Sequence, residues 1–205
     1  MRLRSIWLIA TLCVNVAACT SFKRWTYEGG DRDSWQKPAA VVAALQLDPG
    51  DTVADIGAGG GYFTFRFADV VGPTGKIYAV DVDEGMVEYL RERAAAEKRD
   101  NIEVVLATPD DPGLPEAGIE MIFTSNTYHH LGDCTEYFRR AKKYLKPGGR
   151  VAIVELNDQN WFAYWFSHYT PPETITKEME AAGYARELKL DFLDRQSYQI
   201  FVVRP

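Results

Sequence analysis

A glycine-rich turn near the start of the chain has residues that could hold a ligand. It follows an apolar strand predicted from Thr52 and precedes a helix predicted from Tyr62. The alternating residues of the turn are Asp55, Gly57, Gly59 and Gly61. Because glycine has no Cβ, the turn can be tight and its backbone can approach a ligand closely. The start of the helix would direct free N–H groups and the positive end of its dipole at that ligand.

The spacing of the glycines excludes a dinucleotide site of the usual kind. Such a site needs the pattern Gly-x-Gly-x-x-Gly. Counted from Gly57 the third glycine falls at Tyr62, and counted from Gly59 it falls at Thr64. What remains is an acid two residues before the first glycine. The alternative is a strand-to-helix turn that binds nothing.

A second acid ends the next predicted strand, Lys76–Asp81. Asp81 lies 20 residues beyond Gly61. An acid at this place can bind the two hydroxyls of a ribose. Its alternative role is to cap the predicted helix Glu84–Lys98. The glycine turn and the acid together therefore favour a nucleoside-containing ligand.

This combination resembles motif I and the following acid of class I S-adenosylmethionine (SAM)-dependent methyltransferases. The turn Leu145–Gly149 is also similar to one in that family, and the resemblance covers Trp35–Pro205. It implies SAM as the cofactor and an acid after strand three that holds the adenine amino group. Asp110 is the first candidate for that acid and Asp111 the second, although both could form an Asx turn instead. The cofactor-binding residues that we expect are Asp55, Gly57, Gly59, Gly61, Asp81, Asp110 and Asn126.

All three histidines follow the predicted fourth and fifth strands. His129 and His130 come after strand four, and His168 comes after strand five. Segments that follow parallel strands lie at the carboxyl edge of the sheet, where ligands of open α/β sheets bind. The ordinary histidine pKa of about 6.5 also suits a base that accepts a proton from a methyl acceptor. We expect His129 or His130 to be catalytic; an ordinary hydrogen-bonded role is the alternative. Adjacent side chains of an extended chain point apart, so we predict no metal site.

Composition and motifs favour a small-molecule acceptor. The chain carries 23 basic and 29 acidic residues, a formal charge of −6, whereas nucleic-acid binding usually needs a basic face. The segment Asn126–Tyr128 lacks the two prolines of the Asn-Pro-Pro-Tyr motif found in amino-methylating nucleic-acid and glutamine enzymes. The aromatic-rich segment Asn160–Tyr169 packs on the core, contacts a membrane or covers the site. In the last case it would select an apolar or aromatic acceptor.

The N-terminus has the pattern of an export signal. Its apolar run, Ile6–Ala18, would span about 20 Å as a helix, short of the roughly 30 Å of a bilayer core. Val16–Cys19 resembles a bacterial lipoprotein cleavage box, which implies lipidation of Cys19 and a membrane-anchored protein of the cell envelope. The alternatives are an uncleaved anchor or a misplaced start codon, which would leave the protein in the cytoplasm. We expect a signal peptide over 1–18, a tether over 19–34 and one domain over 35–205.

Alternating strands and helices predict an α/β fold with a doubly wound, mostly parallel seven-stranded sheet of the Rossmann-like methyltransferase type. The leading function is SAM-dependent methylation of a small molecule. The second hypothesis is a lipid-anchored nucleoside- or SAM-binding protein without turnover. It arises because SAM is made in the cytosol, whereas a processed lipoprotein faces outward. The sequence does not predict an oligomeric state.

Overall fold

One seven-stranded sheet forms the centre of the protein. The structure, a computed structural model, describes residues 31–158 and 169–204. The strands are β1 (Thr52–Ile56), β2 (Lys76–Asp81), β3 (Ile102–Leu106), β4 (Ile119–Ser125), β5 (Leu145–Leu156), β6 (Tyr184–Leu190) and β7 (Gln196–Val203). The helices are α1 (Arg32–Gln36), α2 (Pro38–Ala44), α3 (Thr64–Val71), α4 (Glu84–Ala96), α5 (Cys134–Ala141) and α6 (Pro172–Ala181). Tyr128–His130 and Lys142–Tyr144 form single 3₁₀ turns.

The sheet has the order β3-β2-β1-β4-β5-β7-β6. Strands β1 to β5 pair in parallel, whereas β7 is antiparallel to both β5 and β6. The predicted α/β Rossmann-like fold with seven strands is confirmed, but the sheet is mixed rather than mostly parallel. Residues 191–195, between β6 and β7, are too few for the crossover that a parallel pair needs, so these two strands form a hairpin.

Helices cover both faces of the sheet. Side chains of a strand alternate between its faces, and in β2 Ile77 and Val80 enter different apolar clusters. One face packs against α2 and α3, and α4 lies beside them over Ala79. The other face packs against α5 and α6 through Phe138 and Met179. The predicted double winding is therefore present, and each strand of the centre is buried on both sides.

The Leu145–Gly149 turn of the sequence lies within a strand. Ile119 of β4 pairs with Leu145 and Met121 pairs with Arg150, so β5 advances five residues while β4 advances two. The extra residues form an irregularity around Gly148, whose φ of +79° favours glycine. Strand β5 consequently begins at Leu145, at the start of the predicted turn, and ends at Leu156.

Helix α1 packs against the glycine-rich turn. Asp33 accepts a hydrogen bond from the Tyr62 hydroxyl and pairs with Arg66 at 3.2 Å. The buried Gln36 donates to the Ser125 hydroxyl at 2.9 Å. Residues 32–34, which the sequence assigned to the tether, thus form part of the packed domain.

Several predictions concern residues outside the described ranges. These are the signal peptide, Cys19, the tether up to residue 30, His168 and the aromatic segment up to the same residue. Within residues 31–158 and 169–204, no helix has the length and apolar character needed to span a bilayer.

Candidate cofactor and acceptor site

The glycine-rich turn lies where the sheet order reverses. Strands β1 and β4 are neighbours, and the segments that follow them meet at this crevice. Gly57, Gly59 and Gly61 have φ angles of +72°, +54° and +85°. A Cβ on Gly57 would overlap the side chain of Thr127, just after β4, and a Cβ on Gly61 would lie 2.6 Å from the Phe65 ring. The first and third glycines are therefore required by shape as well as by backbone angle.

The turn is also attached to the second strand. The N–H groups of Gly57 and Ala58 donate to the Val80 carbonyl at 2.8 and 3.0 Å. Helix α3 then begins at Thr64, two residues later than predicted. The turn is thus longer than the sequence indicated, and it places its backbone between β1, β2 and the segment after β4.

Asp55 is a buried carboxylate beneath this turn. Its Oδ2 accepts a hydrogen bond from the Thr64 hydroxyl at 2.6 Å, and the residue is 3% exposed. Burial raises the pKa of Asp55 to about 6, although the Thr64 hydrogen bond and the nearby Arg32 oppose that rise. Burial in turn lowers the pKa of Arg32 to about 10. The Arg32 guanidinium lies 3.8 Å from the centre of the Tyr62 ring, above the turn.

Asp81 ends β2 and faces the second glycine of the turn. Its Oδ2 accepts the Gly59 N–H at 2.8 Å, and its Oδ1 accepts the Asp83 N–H at 3.0 Å. The cap of α4 is Asp83, whose Oδ1 accepts from the N–H groups of Gly85 and Met86. The capping alternative for Asp81 is therefore wrong, and its carboxylate lies against the glycine-rich turn instead.

The two candidate adenine acids differ in their surroundings. Asp111 accepts hydrogen bonds from the Gly113 N–H and the Tyr144 hydroxyl, and these contacts keep its pKa below the ordinary value despite partial desolvation. It forms the Asx-type turn that the sequence allowed. Asp110 is exposed at the tip of the same loop. The structure thus gives Asp111 a structural role, and the adenine contact of Asp110 stays a prediction.

Asn126 joins two strands at the carboxyl edge. Its φ is +55°, its N–H donates to the Val154 carbonyl at 2.9 Å, and its Oδ1 accepts from Gln196 at 2.7 Å. The Oδ1 atom is thus directed to β7. A contact between Asn126 and the cofactor stays a prediction.

His129 and His130 lie together in the 3₁₀ turn Tyr128–His130, called the histidine turn below, which follows β4. Their ring centroids are 4.0 Å apart, because the turn is not the extended chain that the sequence argument assumed. His129 is close to buried, whereas His130 is exposed. The preceding Tyr128 is fully buried and donates to Glu178 at 2.7 Å, which fixes the turn against α6.

Sequence reasoning missed Glu155, which contacts His129. The Oε1 atom of Glu155 lies 2.8 Å from Nδ1 of His129, and the carboxylate side chain is 0% exposed. The available signal was an acid within the apolar strand Val151–Leu156. Buried acids are rarely without a partner, but the sequence does not indicate which residue the partner is.

A cleft opens at the same edge beside β5 and β7. Its volume is about 370 Å³, and residues that line it include Asn157, Tyr169, Leu193, Gln196 and Ser197. Ser197 pairs with Glu155 in the sheet, and Gln196 bonds to Asn126. The cleft therefore adjoins the residues that pair with Glu155 and Asn126, and it is within the size range of small-molecule pockets.

Residues 47–199 match a family model described as a methyltransferase domain. The chain belongs to this family. The match includes the glycine turn, Asp81 and the histidine turn, and it confirms the prediction of a class I SAM-dependent methyltransferase domain with SAM as its cofactor.

Individual relatives agree with this assignment. An arsenite methyltransferase of Halobacterium salinarum is 26% identical over 168 residues, which cover 82% of this chain and 41% of that protein. The ubiquinone/menaquinone biosynthesis C-methyltransferase UbiE of Ectopseudomonas mendocina is 25% identical over 150 residues, 73% of this chain and 58% of that protein. The chain thus spans about half the length of these two relatives. A SAM-dependent methyltransferase from Aquifex aeolicus has a TM-score of 0.75 and 25% identity, covering 89% of this chain and 98% of that one.

The raised pKa of Asp55 predicts a pH-dependent effect of Asp55→Asn on stability. Because the folded-state pKa of about 6 exceeds the unfolded value, protonated Asp55 stabilises the fold below about pH 4, and this contribution is lost as the pH rises to about 6. Asparagine stays neutral throughout. Between about pH 4 and pH 7 the unfolding free energy should shift by about 1–3 kcal/mol in favour of the variant.

Urea unfolding of the cofactor-free protein at both pH values measures this shift. Asp69→Asn, which changes an exposed carboxylate on α3 that pairs with Arg99, is the matched control and should show a much smaller shift. An equal pH dependence of the two variants would contradict the assignment.

Proposed function

We propose that the protein transfers a methyl group from SAM to a small-molecule acceptor. The observation that carries the proposal is the packing of the cofactor turn against the histidine turn, through Gly57 and Thr127. With SAM at the glycine turn and the acceptor at the histidine turn, this contact would bring donor and acceptor next to each other. Alignment of donor and acceptor accounts for much of the rate gain in a displacement reaction.

The residues of the turn fit SAM by charge and by shape. Asp81, with its carboxylate already at the Gly59 N–H, would accept from the ribose hydroxyls. The buried Asp55 would lie near the cationic groups of the methionine part, and its anion would be favoured there. Asp110 would bind the adenine amino group, and Asn126 would make a further contact with the cofactor. SAM supplies an electrophilic methyl carbon, and the rest of the reaction depends on how the chain places the acceptor.

The acceptor is proposed to be a small molecule, apolar or aromatic, that contacts His129 or His130. The net charge of −6 and the size of the cleft support a small molecule rather than a nucleic acid. Tyr169, the last residue of the aromatic segment, lines the cleft. Of the two relatives, one is named as an arsenite methyltransferase and the other as a C-methyltransferase of ubiquinone and menaquinone biosynthesis.

The alternative function is SAM binding without turnover at a membrane. It is favoured by the lipoprotein-like sequence Val16–Cys19, which would place the protein in the bacterial cell envelope, away from the site of SAM synthesis. Both functions use the same cofactor turn. They differ in whether S-adenosylhomocysteine accumulates.

Calorimetric titration with SAM, followed by an acceptor screen that detects S-adenosylhomocysteine, separates the two functions. We expect binding together with acceptor-dependent product formation. Binding without product from any acceptor would favour the second function, and absence of SAM binding would contradict both.

Asp81→Ala should weaken SAM binding. Hydrogen bonds to a charged group contribute about 1.5–3 kcal/mol, so a loss of roughly 10- to 150-fold in affinity is expected. Glu103→Ala, on the neighbouring strand, is the control, because Glu103 pairs with Lys76 at the far end of β2. Unchanged affinity of Asp81→Ala in calorimetry would refute the ribose assignment.

Cys19 should carry a lipid, and residues 1–18 should be absent from the mature protein. Intact-mass analysis of membrane-extracted protein from a bacterial host tests this prediction, with Cys19→Ser as the control that abolishes lipidation. A soluble protein that retains an unmodified Met1 would contradict it.

A further inference from the structure

Glu155 and His129 form a buried acid–imidazole pair beside the cofactor turn. The Nδ1 to Oε1 distance is 2.8 Å, and the side chains are 8% and 0% exposed. An ionised carboxylate accepts hydrogen bonds and cannot donate them, so Nδ1 of His129 carries the proton. The neutral ring then keeps its lone pair on Nε2, which is the arrangement of a base.

Only one of the two carboxylate oxygens of Glu155 accepts hydrogen bonds from the described residues. Its Oε1 also accepts the Leu156 N–H at 2.9 Å. Its Oε2 is buried and has no hydrogen-bond partner within residues 31–158 and 169–204. A buried carboxylate with few donors favours a positive charge on its neighbour. The Glu155 carboxylate therefore lies where it can balance the charge of a proton that reaches His129 during the reaction.

The pair is held in place by its surroundings. Tyr128 stacks on Phe138 with ring centroids 5.6 Å apart and donates to Glu178, so the turn that carries His129 is anchored to α5 and α6. Thr127, two residues before His129, contacts the first glycine of the cofactor turn. His130 is exposed beside this pair. Position and charge therefore both select His129 over His130 as the base.

We infer that Glu155 positions His129 to take a proton from an acceptor that bears a hydroxyl or a thiol. The inference rests on the proposed methyl transfer and narrows its acceptor class. The acceptor oxygen or sulfur forms a bond to the methyl carbon, and the bond from that carbon to the sulfonium breaks with its electron pair remaining on sulfur. The acceptor proton moves to Nε2 of His129, and the imidazolium is balanced by the Glu155 carboxylate. Here His129 is the catalytic residue and Glu155 is a positioning residue.

A neutral amine acceptor does not need a general base before the methyl transfer, because its nitrogen already has a free lone pair. A hydroxyl is a poor nucleophile until its proton leaves, and general-base assistance typically contributes about 10²- to 10⁴-fold. The pair therefore predicts a preference for protic oxygen and sulfur acceptors over amines.

Nitrogen NMR of the imidazoles tests the pair without any acceptor. Native His129, assigned by comparison with His129→Gln, should be the Nδ1-protonated tautomer. Glu155→Gln keeps an acceptor oxygen and should retain it, whereas Glu155→Ala should shift His129 toward the Nε2-protonated form. A native His129 protonated on Nε2 would overturn the inference, because that nitrogen could not accept the proton.

Turnover with catechol, thiophenol and aniline tests the acceptor class. With catechol, kcat should fall about 10²- to 10⁴-fold in His129→Gln and about 10- to 100-fold in Glu155→Gln, with little change in KM or in SAM affinity. Thiophenol ionises near neutral pH without a base, so kcat with thiophenol should fall less in both variants. Glu120→Gln, an acid at the opposite end of β4 that pairs with Lys146, is the matched control and should behave like the native protein.

The possible failures are distinguishable. Methylation of aniline with catechol and thiophenol inert overturns the inference and leaves the proposed function standing. Equal losses on catechol and aniline in Glu155→Gln also overturn it, because a general structural defect would explain them. SAM binding with no product from any alcohol, thiol or amine overturns both.

Discussion

The contact between Gly57 and Thr127 is the constraint on which the rest of the site depends. It exists because β1 and β4 are adjacent in the sheet although two helices and two strands separate them along the chain. Any side chain at Gly57 would push the segment after β4 away from the cofactor turn. The histidine turn and the glycine turn are thereby fixed to each other through backbone packing rather than through mobile side chains.

Buried charge is concentrated at this edge of the sheet. Asp55 lies under the glycine turn and Glu155 lies under the histidine turn, and each has a polar hydrogen bond that offsets part of its desolvation. Isolated buried carboxylates are costly to a fold. Their presence on two neighbouring parts of one crevice is typical of a site that is completed by its ligands, since cationic groups would then replace the missing solvation.

The sequence predicted the parts of the fold that depend on local pattern. Strand β1 begins at Thr52 and β2 spans Lys76–Asp81, both as expected, because each strand is apolar and bounded by turn residues. The position of Asp81 beside the glycine turn was also predictable, since its distance from the turn follows from one strand–helix–strand unit.

Features that depend on contacts distant in sequence were not predictable. Glu155 meets His129 across 26 residues, and Asn126 meets Gln196 across 70. The contact between the His129 and His130 rings depends on the 3₁₀ turn, and no periodicity of apolar residues in the sequence predicts that turn. The antiparallel direction of β7 follows from its pairing with β5 and β6. The residue pattern of a single strand does not indicate which strands it pairs with.

The reversed direction of β7 separates the site into two parts of the chain that can diverge independently. Gln196 and Ser197 reach the crevice from the beginning of a strand, whereas Asp55, Asp81 and Ser125 reach it from strand ends. Changes in length or composition after Leu156, or between β6 and β7, would therefore reshape the cleft without moving the glycine turn. Such an arrangement lets the lining of the cleft vary while the backbone of the glycine turn stays the same.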